Sequence, residues 1–200
     1  TSLHDKLHLA ALLKHRAHIR RILDNAGLRQ VRIERIAGDL TDHYSPKELV
    51  LRLSDTTINS NSIAAIGVAA HECGHAIQHK ESYGPLKFRN TIVPVVNIGS
   101  KLSWPMILIG LLFGVTGFLD LGIVFFSFSL LFQLITLPVE FNASSRALKI
   151  LRDSNMLYED ELKGAKKVLS AAAMTYVAAA IASLLSLLRL IILFGGRRRD

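Results

Sequence analysis

The spacing of apolar residues in the N-terminal part of the chain predicts a helix followed by a small sheet. Residues 1–27 place apolar side chains at helical intervals, and the segment ends in Asn-Ala-Gly, a usual helix stop. Over residues 31–53 apolar and polar positions alternate, as in half-buried strands, and turn residues stand at Gly38 and Pro46. We therefore predict two or three short strands, of which the segment 49–53 could also bind a peptide along its edge.

The next predicted element is an apolar helix that carries several polar side chains. Ser60 or Ser62 is a suitable N-cap for it. Residues 62–79 read SIAAIGVAAHECGHAIQH, so histidines, a glutamate and the single cysteine interrupt a run of small and aliphatic side chains. Burying such polar groups without partners is costly. The pattern therefore favours a shared ligand, such as a metal ion, over a chance cluster.

Two uncharged runs follow and predict a membrane hairpin. Residues 102–119 and 121–139 contain no charged side chain, and only Asp120 separates them. Each run has about the 20 residues needed to cross a bilayer. We therefore predict a transmembrane hairpin within residues 90–139, with Asp120 at its tip. Pro138 is expected to break or kink the second membrane helix near its end.

A third uncharged run covers residues 168–188. Small residues recur at every fourth position, a seam that lets membrane helices pack closely. They are Ala171, Thr175, Ala179 and Ser183. Arginines follow this run, which conflicts with the positive-inside rule if the helix crosses the membrane. The sequence therefore leaves open whether this helix spans the bilayer or lies tilted, re-entrant or at the interface.

Composition and charge favour a membrane protein over a nucleic-acid-binding protein. Hydrophobic residues make up 50% of the chain, and the formal net charge is +8. No nucleic-acid-binding motif accompanies this charge, so basic cytoplasmic loops explain it better. Basic residues flank the open side of the hairpin, namely Lys87, Arg89, Lys101, Arg146, Lys149 and Arg152. This asymmetry predicts that both flanking segments lie in the cytoplasm.

The segment HECGH matches the HExxH pattern of zinc peptidases. His71 and His75 are four residues apart, so on a helix both imidazoles project from one face and can bind one Zn²⁺. Glu72 stands beside them, where a carboxylate can take a proton from zinc-activated water and pass it to the leaving amine. His4 and His8 share the same spacing on a polar helix, so it is the apolar surroundings and the adjacent glutamate that favour a metal site.

A catalytic zinc site needs a third protein ligand, for which there are three candidates. His79 is about 12 Å from His71 along the helix axis, which is too far for both to bind one ion. Asp120 loosely resembles the aspartate of intramembrane site-2 proteases, although the charge argument places it across the bilayer. Glu140 lies where the second membrane segment returns towards the histidines. Its alternative interpretation is an interfacial carboxylate paired with Arg146.

Three segments resemble one family of proteins. SIAAIGVAAHECGHAIQH, IVPVVNIGS and LPVEFNASSRAL are similar to segments of the bacterial membrane-bound neutral zinc metallopeptidases of the YugP type. These are more distantly similar to the HtpX and CAAX-prenyl endopeptidases. The resemblance covers nearly the whole chain. Family members usually begin with an N-terminal membrane helix, so we expect that a native segment precedes the first residue of this sequence.

This resemblance implies roles for particular residues. It implies His71, His75 and Glu140 as zinc ligands and Glu72 as the catalytic base. Where the wider group has an aspartate, this chain has Ser144, whose hydroxyl is expected to bind a ligand histidine less strongly. Peptide hydrolysis also needs a hydrogen-bond donor to the transition-state oxyanion. Tyr176 and His43 are candidates that the sequence does not separate.

The predicted fold is α+β and mainly helical. A small zincin-like domain of the gluzincin type contains an inserted transmembrane helical hairpin and precedes a C-terminal hydrophobic helix. We assign residues 1–89 to the N-terminal helix, the sheet and the HExxH helix, and 90–139 to the hairpin. Residues 140–167 are expected to form the helix with the third ligand, and 168–200 the hydrophobic helix and basic tail.

The predicted function is peptide-bond hydrolysis by an integral membrane zinc endopeptidase. We expect a multi-pass protein of the bacterial cell membrane, with its active site facing the cytoplasm and Zn²⁺ as cofactor. Its expected partners are the lipid bilayer and protein or peptide substrates, in particular membrane or misfolded proteins, but not nucleic acid. Two alternatives stay open: an intramembrane site-2-type protease that uses Asp120, and a non-catalytic, zinc-stabilised membrane scaffold.

Overall fold

The computed structural model of the chain describes residues 16–195. Over this range the protein is α+β and mainly helical, with one small sheet and three long apolar helices, as predicted. The described part of the first helix, α1, covers residues 16–25, and the rest of the predicted helix lies outside the described residues. Gly27 ends the helix in the left-handed conformation (φ +66°), because its amide and that of Leu28 bond back to the carbonyls of Asp24 and Leu23.

The predicted strands form one three-stranded sheet. They are β1 (Arg32–Ile36), β2 (His43–Ser45) and β3 (Val50–Ser54), in the order β1-β3-β2. β1 is parallel to β3, and β2 is antiparallel to it. The expectation that segment 49–53 offers an edge to a peptide is therefore wrong, because β3 is paired on both sides. The edge strands of this sheet are β1 and β2.

Two helices continue the chain after the sheet, α2 (Asp55–Ile58) and α3 (Ile63–Lys80). Ser62, one of the two predicted caps, accepts a hydrogen bond from the amide of Ala65 at 3.2 Å. Small residues on α3 let other elements approach it closely. The apolar core of this part of the chain contains fully buried side chains from α1, β3 and α3, among them Leu23, Leu51 and Ala70.

The apolar hairpin consists of α4 (Gly84–Phe113) and α5 (Thr116–Asp153). The turn between them lies at Gly114 and Val115, so the prediction that Asp120 forms the tip is wrong. Gly114 adopts φ +67°, which ends α4 at little cost because glycine has no Cβ, whereas the charge of Asp120 is accommodated within α5. The helices approach closely near the turn, where the Ser103 hydroxyl donates to the carbonyl of Gly122 at 3.0 Å.

Helix α5 continues through Pro138, so of the two expectations at this residue the break is wrong, whereas the kink stays a prediction. A proline inside a helix removes one backbone hydrogen bond, and long apolar helices tolerate this where neighbouring groups compensate. Glu140 therefore lies on the same helix as the second apolar run. The residues Ala143, Ala147 and Leu151 follow it on one face and are fully buried.

The last element is α6 (Glu159–Phe194), which is also long and apolar enough to cross a membrane. Leu190, near its C-terminal end, packs with Ile107 and Leu119, which lie on either side of the α4–α5 turn. Of the predicted small-residue seam, Ala171 and Thr175 are exposed. By length and composition, three helices of the described chain can therefore span a bilayer.

The described residues divide into two compact units. One comprises residues 16–83 and Glu140–Ala173, and the other comprises Gly84–Val139 and residues 174–195. The first unit contains α1, the sheet, α2, α3, the end of α5 and the start of α6. The second contains the apolar parts of α4 and α5 and the C-terminal part of α6. The four domain ranges expected from the sequence stay predictions.

Candidate metal centre

Helix α3 places two imidazoles side by side. His71 and His75 are one turn apart, and their rings meet edge to face with centroids 4.7 Å apart. The opposite face of the helix carries Ala69, Ala70 and Cys73, which are buried in the core. Burial of this apolar face fixes the rotation of the helix about its axis. The side chains of the two histidines therefore lie away from the core and are partly exposed.

A carboxylate from α5 meets both imidazoles. The Oε2 atom of Glu140 lies 3.2 Å from Nε2 of His71 and 3.5 Å from Nε2 of His75. Only 4% of Glu140 is exposed. Its position follows from the apolar stripe on α5, because packing of Ala147 and Leu151 into the core turns the same face of the helix towards α3. The carboxylate oxygen of Glu140 thus faces the Nε2 atoms of both histidines.

The close approach of α3 and α5 depends on Gly74. A Cβ atom at this position would lie 2.6 Å from the carbonyl oxygen of Ala143, well inside van der Waals contact. No side chain larger than hydrogen fits there unless the backbones separate. The absence of a side chain at Gly74 therefore allows Glu140 to reach His71 and His75.

Glu72 lies beside the two histidines but has a different partner. One carboxylate oxygen of Glu72 and one ring nitrogen from each of His71 and His75 lie within 4.8 Å of one another. Its Oε2 accepts a hydrogen bond from the backbone amide of Tyr44 in β2 at 3.0 Å. Of the two carboxylates near the imidazoles, Glu140 makes the shorter, shared contacts, whereas Glu72 is held by the sheet. Burial raises the pKa of Glu72 to about 7.

The second nitrogen of each histidine is also hydrogen-bonded. His71 Nδ1 lies 3.1 Å from the Ser144 hydroxyl, and His75 Nδ1 lies 3.0 Å from Oε1 of Gln78. These contacts leave both Nε2 atoms directed at Glu140. A metal-binding histidine usually has such a partner on its other nitrogen, which fixes the orientation of the ring.

Sequence reasoning missed the role of Gln78, which is fully buried. Its Nε2 donates to Oδ1 of Asn142 at 2.9 Å, and Arg146 Nε donates to the same oxygen at 2.7 Å. Arg146 also forms an ion pair with Glu81 at 2.6 Å. One sequence signal could have indicated this role. Gln78 stands three residues after the second histidine on an apolar helix, and a buried amide requires hydrogen-bond partners.

The other candidates have different surroundings. His79 is exposed, and its Nδ1 lies 3.0 Å from the hydroxyl of Tyr44. His43 donates from Nδ1 to the carbonyl of Thr41 at 2.8 Å. Burial raises the pKa of Cys73, which behaves as a small core residue.

Asp120 and Tyr176 belong to the second compact unit, whereas the two histidines and Glu140 belong to the first. The site-2-type role considered for Asp120 stays a prediction. So does the oxyanion role considered for Tyr176 and His43.

Comparison with known proteins agrees with the resemblance seen in the sequence. The model of the family described as "Putative neutral zinc metallopeptidase" matches residues 7–195. The "Putative membrane protease YugP" of Bacillus subtilis (strain 168) is 53% identical over 175 residues, which cover 88% of this chain and 78% of the relative. No solved structure gives a significant match to the chain. With a family match over almost its full length, this chain belongs to the YugP-type neutral zinc metallopeptidase family.

Proposed function

We propose that this protein is an integral membrane zinc endopeptidase in which His71, His75 and Glu140 hold the metal. The observation that carries the proposal is the convergence of two Nε2 atoms and one Oε2 atom, with separations of 3.2 and 3.5 Å. Ligands about 2.0–2.1 Å from a tetrahedral zinc ion are about 3.3 Å apart. The two separations between the carboxylate oxygen and the imidazole nitrogens are therefore close to that spacing, and the donor types are those of a peptidase site with two histidines and one glutamate.

Three protein ligands leave one tetrahedral position for water or substrate, as catalytic zinc sites require. When bound, zinc supplies a Lewis acid that activates water and polarises a peptide carbonyl. The protein contributes the position of these groups, because packing and hydrogen bonds fix the imidazoles and the carboxylate. Ser144 and Gln78 direct the Nε2 atoms of the two histidines towards the site.

Glu72 acts as the general base in this proposal. The Tyr44 amide holds its Oε2 at 3.0 Å and thereby fixes the carboxylate beside the imidazoles. In this position Glu72 can accept a proton from the attacking water and then donate that proton to the nitrogen of the leaving amine. A second carboxylate in the same site is needed for this step, because Glu140 is used as a ligand.

The edge strand β2 is the proposed binding site for the peptide backbone. β2 pairs with β3 on one side, and the amide of Tyr44 on the other side points to Glu72. An extended peptide that pairs with this edge passes directly in front of the base. This arrangement of an edge strand and an HExxH helix supports the assignment of a small zincin-like domain of the gluzincin type.

We place the active site at the cytoplasmic face. The residues that flank the hairpin on the side of the histidines are basic, whereas the turn between α4 and α5 has only Asp120 nearby. Three helices are long and apolar enough to cross a bilayer, which supports substrates that the protein meets at the lipid surface. Membrane proteins and misfolded proteins at this surface are the proposed substrates.

Substitution of Glu72 by glutamine tests whether the centre is catalytic. Purified Glu72→Gln protein is expected to bind zinc like the wild type but to lose hydrolysis of labelled casein by at least about 100-fold, because general base catalysis contributes factors of this size. Glu48→Gln, an exposed carboxylate change in the turn before β3, is the matched control and should retain activity. Equal hydrolysis by Glu72→Gln and wild type would exclude Glu72 as the base, whereas wild-type hydrolysis no faster than a protein-free blank would favour the non-catalytic scaffold.

A further inference from the structure

A chain of four polar side chains connects the surface of the first compact unit to His75. Arg146 Nε donates to Asn142 Oδ1, Gln78 Nε2 donates to the same oxygen, and Gln78 Oε1 lies 3.0 Å from His75 Nδ1. Glu81 holds the outer end through its ion pair with Arg146, and the guanidinium also lies 5.8 Å from the centre of the Tyr83 ring. The chain passes between α5 and α3, the two helices that carry the proposed ligands.

Arginine sets the direction of every hydrogen bond in this chain. A guanidinium can only donate, so the atom of Asn142 that faces Arg146 must be the amide oxygen. An oxygen that also faces Gln78 requires the NH₂ group of Gln78 on that side. The carbonyl oxygen of Gln78 then faces His75, and since a carbonyl can only accept, Nδ1 of His75 must carry a proton.

We infer that Gln78 and Asn142 are positioning residues that fix the tautomer of His75, with Arg146 setting the polarity of the chain. This inference rests on the proposed function, in which His75 binds zinc through Nε2. A proton on Nδ1 leaves the lone pair of Nε2 directed at the site, where Glu140 Oε2 lies 3.5 Å away. The side chain of Gln78 is fully buried, so its hydrogen bonds are shielded from bulk solvent.

The two histidines differ in this respect. His71 Nδ1 meets the hydroxyl of Ser144, and a hydroxyl can donate or accept with equal ease. Ser144 therefore orients the ring of His71 without deciding its tautomer. The hydrogen bond from Gln78 to Asn142 also connects α3 to α5.

Zinc affinity of Gln78 variants, measured by competition with a chromogenic chelator, tests the inference. Gln78→Met has a similar shape and no amide, and we expect it to weaken zinc binding about 10- to 100-fold, as is usual when the partner of a ligand histidine is removed. Asn142→Leu should give a similar loss, and the double variant should lose little more, because both changes interrupt one chain. Asn142→Asp keeps an oxygen towards Gln78 and Arg146, so it should bind zinc within about threefold of wild type.

A spectroscopic readout separates positioning from general stability. In the zinc-loaded wild type, the Nδ1 proton of His75 should give a slowly exchanging NMR signal that Asn142→Asp retains and Gln78→Met loses. Wild-type zinc affinity and an unchanged His75 signal in both Gln78→Met and Asn142→Leu would overturn the inference while leaving the proposed function intact. If wild type and all variants fail to bind zinc, it is the proposed function that fails. Should Gln78→Met not fold, the comparison of Asn142→Asp with Asn142→Leu decides the same question.

Discussion

The Oε2 atom of Glu140 lies 3.2 Å from Nε2 of His71, across 69 residues of sequence. Two long apolar runs separate these residues along the chain, and the contact is made after the second run ends. It forms because Ala143, Ala147 and Leu151 pack their face of α5 into the core that also contains α3. Apolar packing thus positions the polar atoms of the candidate centre.

Removal of the Glu140 carboxylate should abolish tight zinc binding. We expect Glu140→Ala to weaken zinc binding by more than about 100-fold, because loss of a direct ligand exceeds the 10- to 100-fold effect of removing an outer partner. Zinc content per chain after dialysis against a weak chelator is the measurement. Asp120→Ala is the matched carboxylate control and should retain its zinc. The reverse result, with zinc lost only from Asp120→Ala, would assign the protein to the site-2-type alternative.

Changes at Ser144 should adjust zinc affinity in both directions. Ser144→Ala removes the hydrogen bond to Nδ1 of His71, and we expect zinc binding about tenfold weaker. Ser144→Asp supplies a carboxylate, a stronger acceptor for the same nitrogen, and should bind zinc more tightly than the wild type. The zinc affinities of the wild type and both variants are compared by competition with a chelator in the same buffer. Equal affinities for all three proteins would show that this hydroxyl does not support the ligand.

A side chain at Gly74 should separate α3 from α5. In Gly74→Ala the new Cβ would lie 2.6 Å from the carbonyl oxygen of Ala143, and since backbone atoms are involved, relief requires the helices to move. We expect a loss of about 1–3 kcal/mol in the free energy of unfolding, as for other overpacked sites, together with weaker zinc binding.

Gly117→Ala provides the matched control for this change. A Cβ at Gly117 meets no atom within 4 Å, and alanine is the better helix former, so stability should be unchanged or slightly higher. Denaturant titration and zinc competition are measured for both variants. Wild-type stability and affinity in Gly74→Ala would contradict the close approach of the two helices.

Removal of the metal should lower thermal stability only when the ligands are intact. A ligand that binds the folded state alone stabilises it by about 4 kcal/mol at a free concentration 1,000 times its Kd. We therefore expect a chelator to lower the Tm of the wild type in detergent and added zinc to restore it. His71→Ala should have a low Tm that neither treatment changes. A chelator-sensitive Tm in His71→Ala would place the stabilising metal elsewhere in the protein.

Local signals in the sequence were sufficient for much of the fold. The stop at Gly27, the cap at Ser62 and the alternating pattern of residues 31–53 each depend on neighbouring residues, and the structure confirms them. The apolar runs likewise indicated helices able to cross a membrane. Errors arose where one residue type was given too much weight. Asp120 did not mark the turn, which Gly114 forms instead, and Pro138 did not end its helix.

Contacts between distant segments were decided by the tertiary structure. The sequence, with the family resemblance, selected His71, His75, Glu72 and Glu140, because their residue types and spacing suit zinc chemistry. It did not indicate that β2 is the edge strand beside Glu72, or that Gln78 connects to Asn142 and Arg146. Local patterns record which face of a helix is apolar, but the partner of a buried polar group depends on which helix packs against that face. Here Gly74 and the small residues of α5 bring the two backbones together, and that distance determines which polar side chains meet.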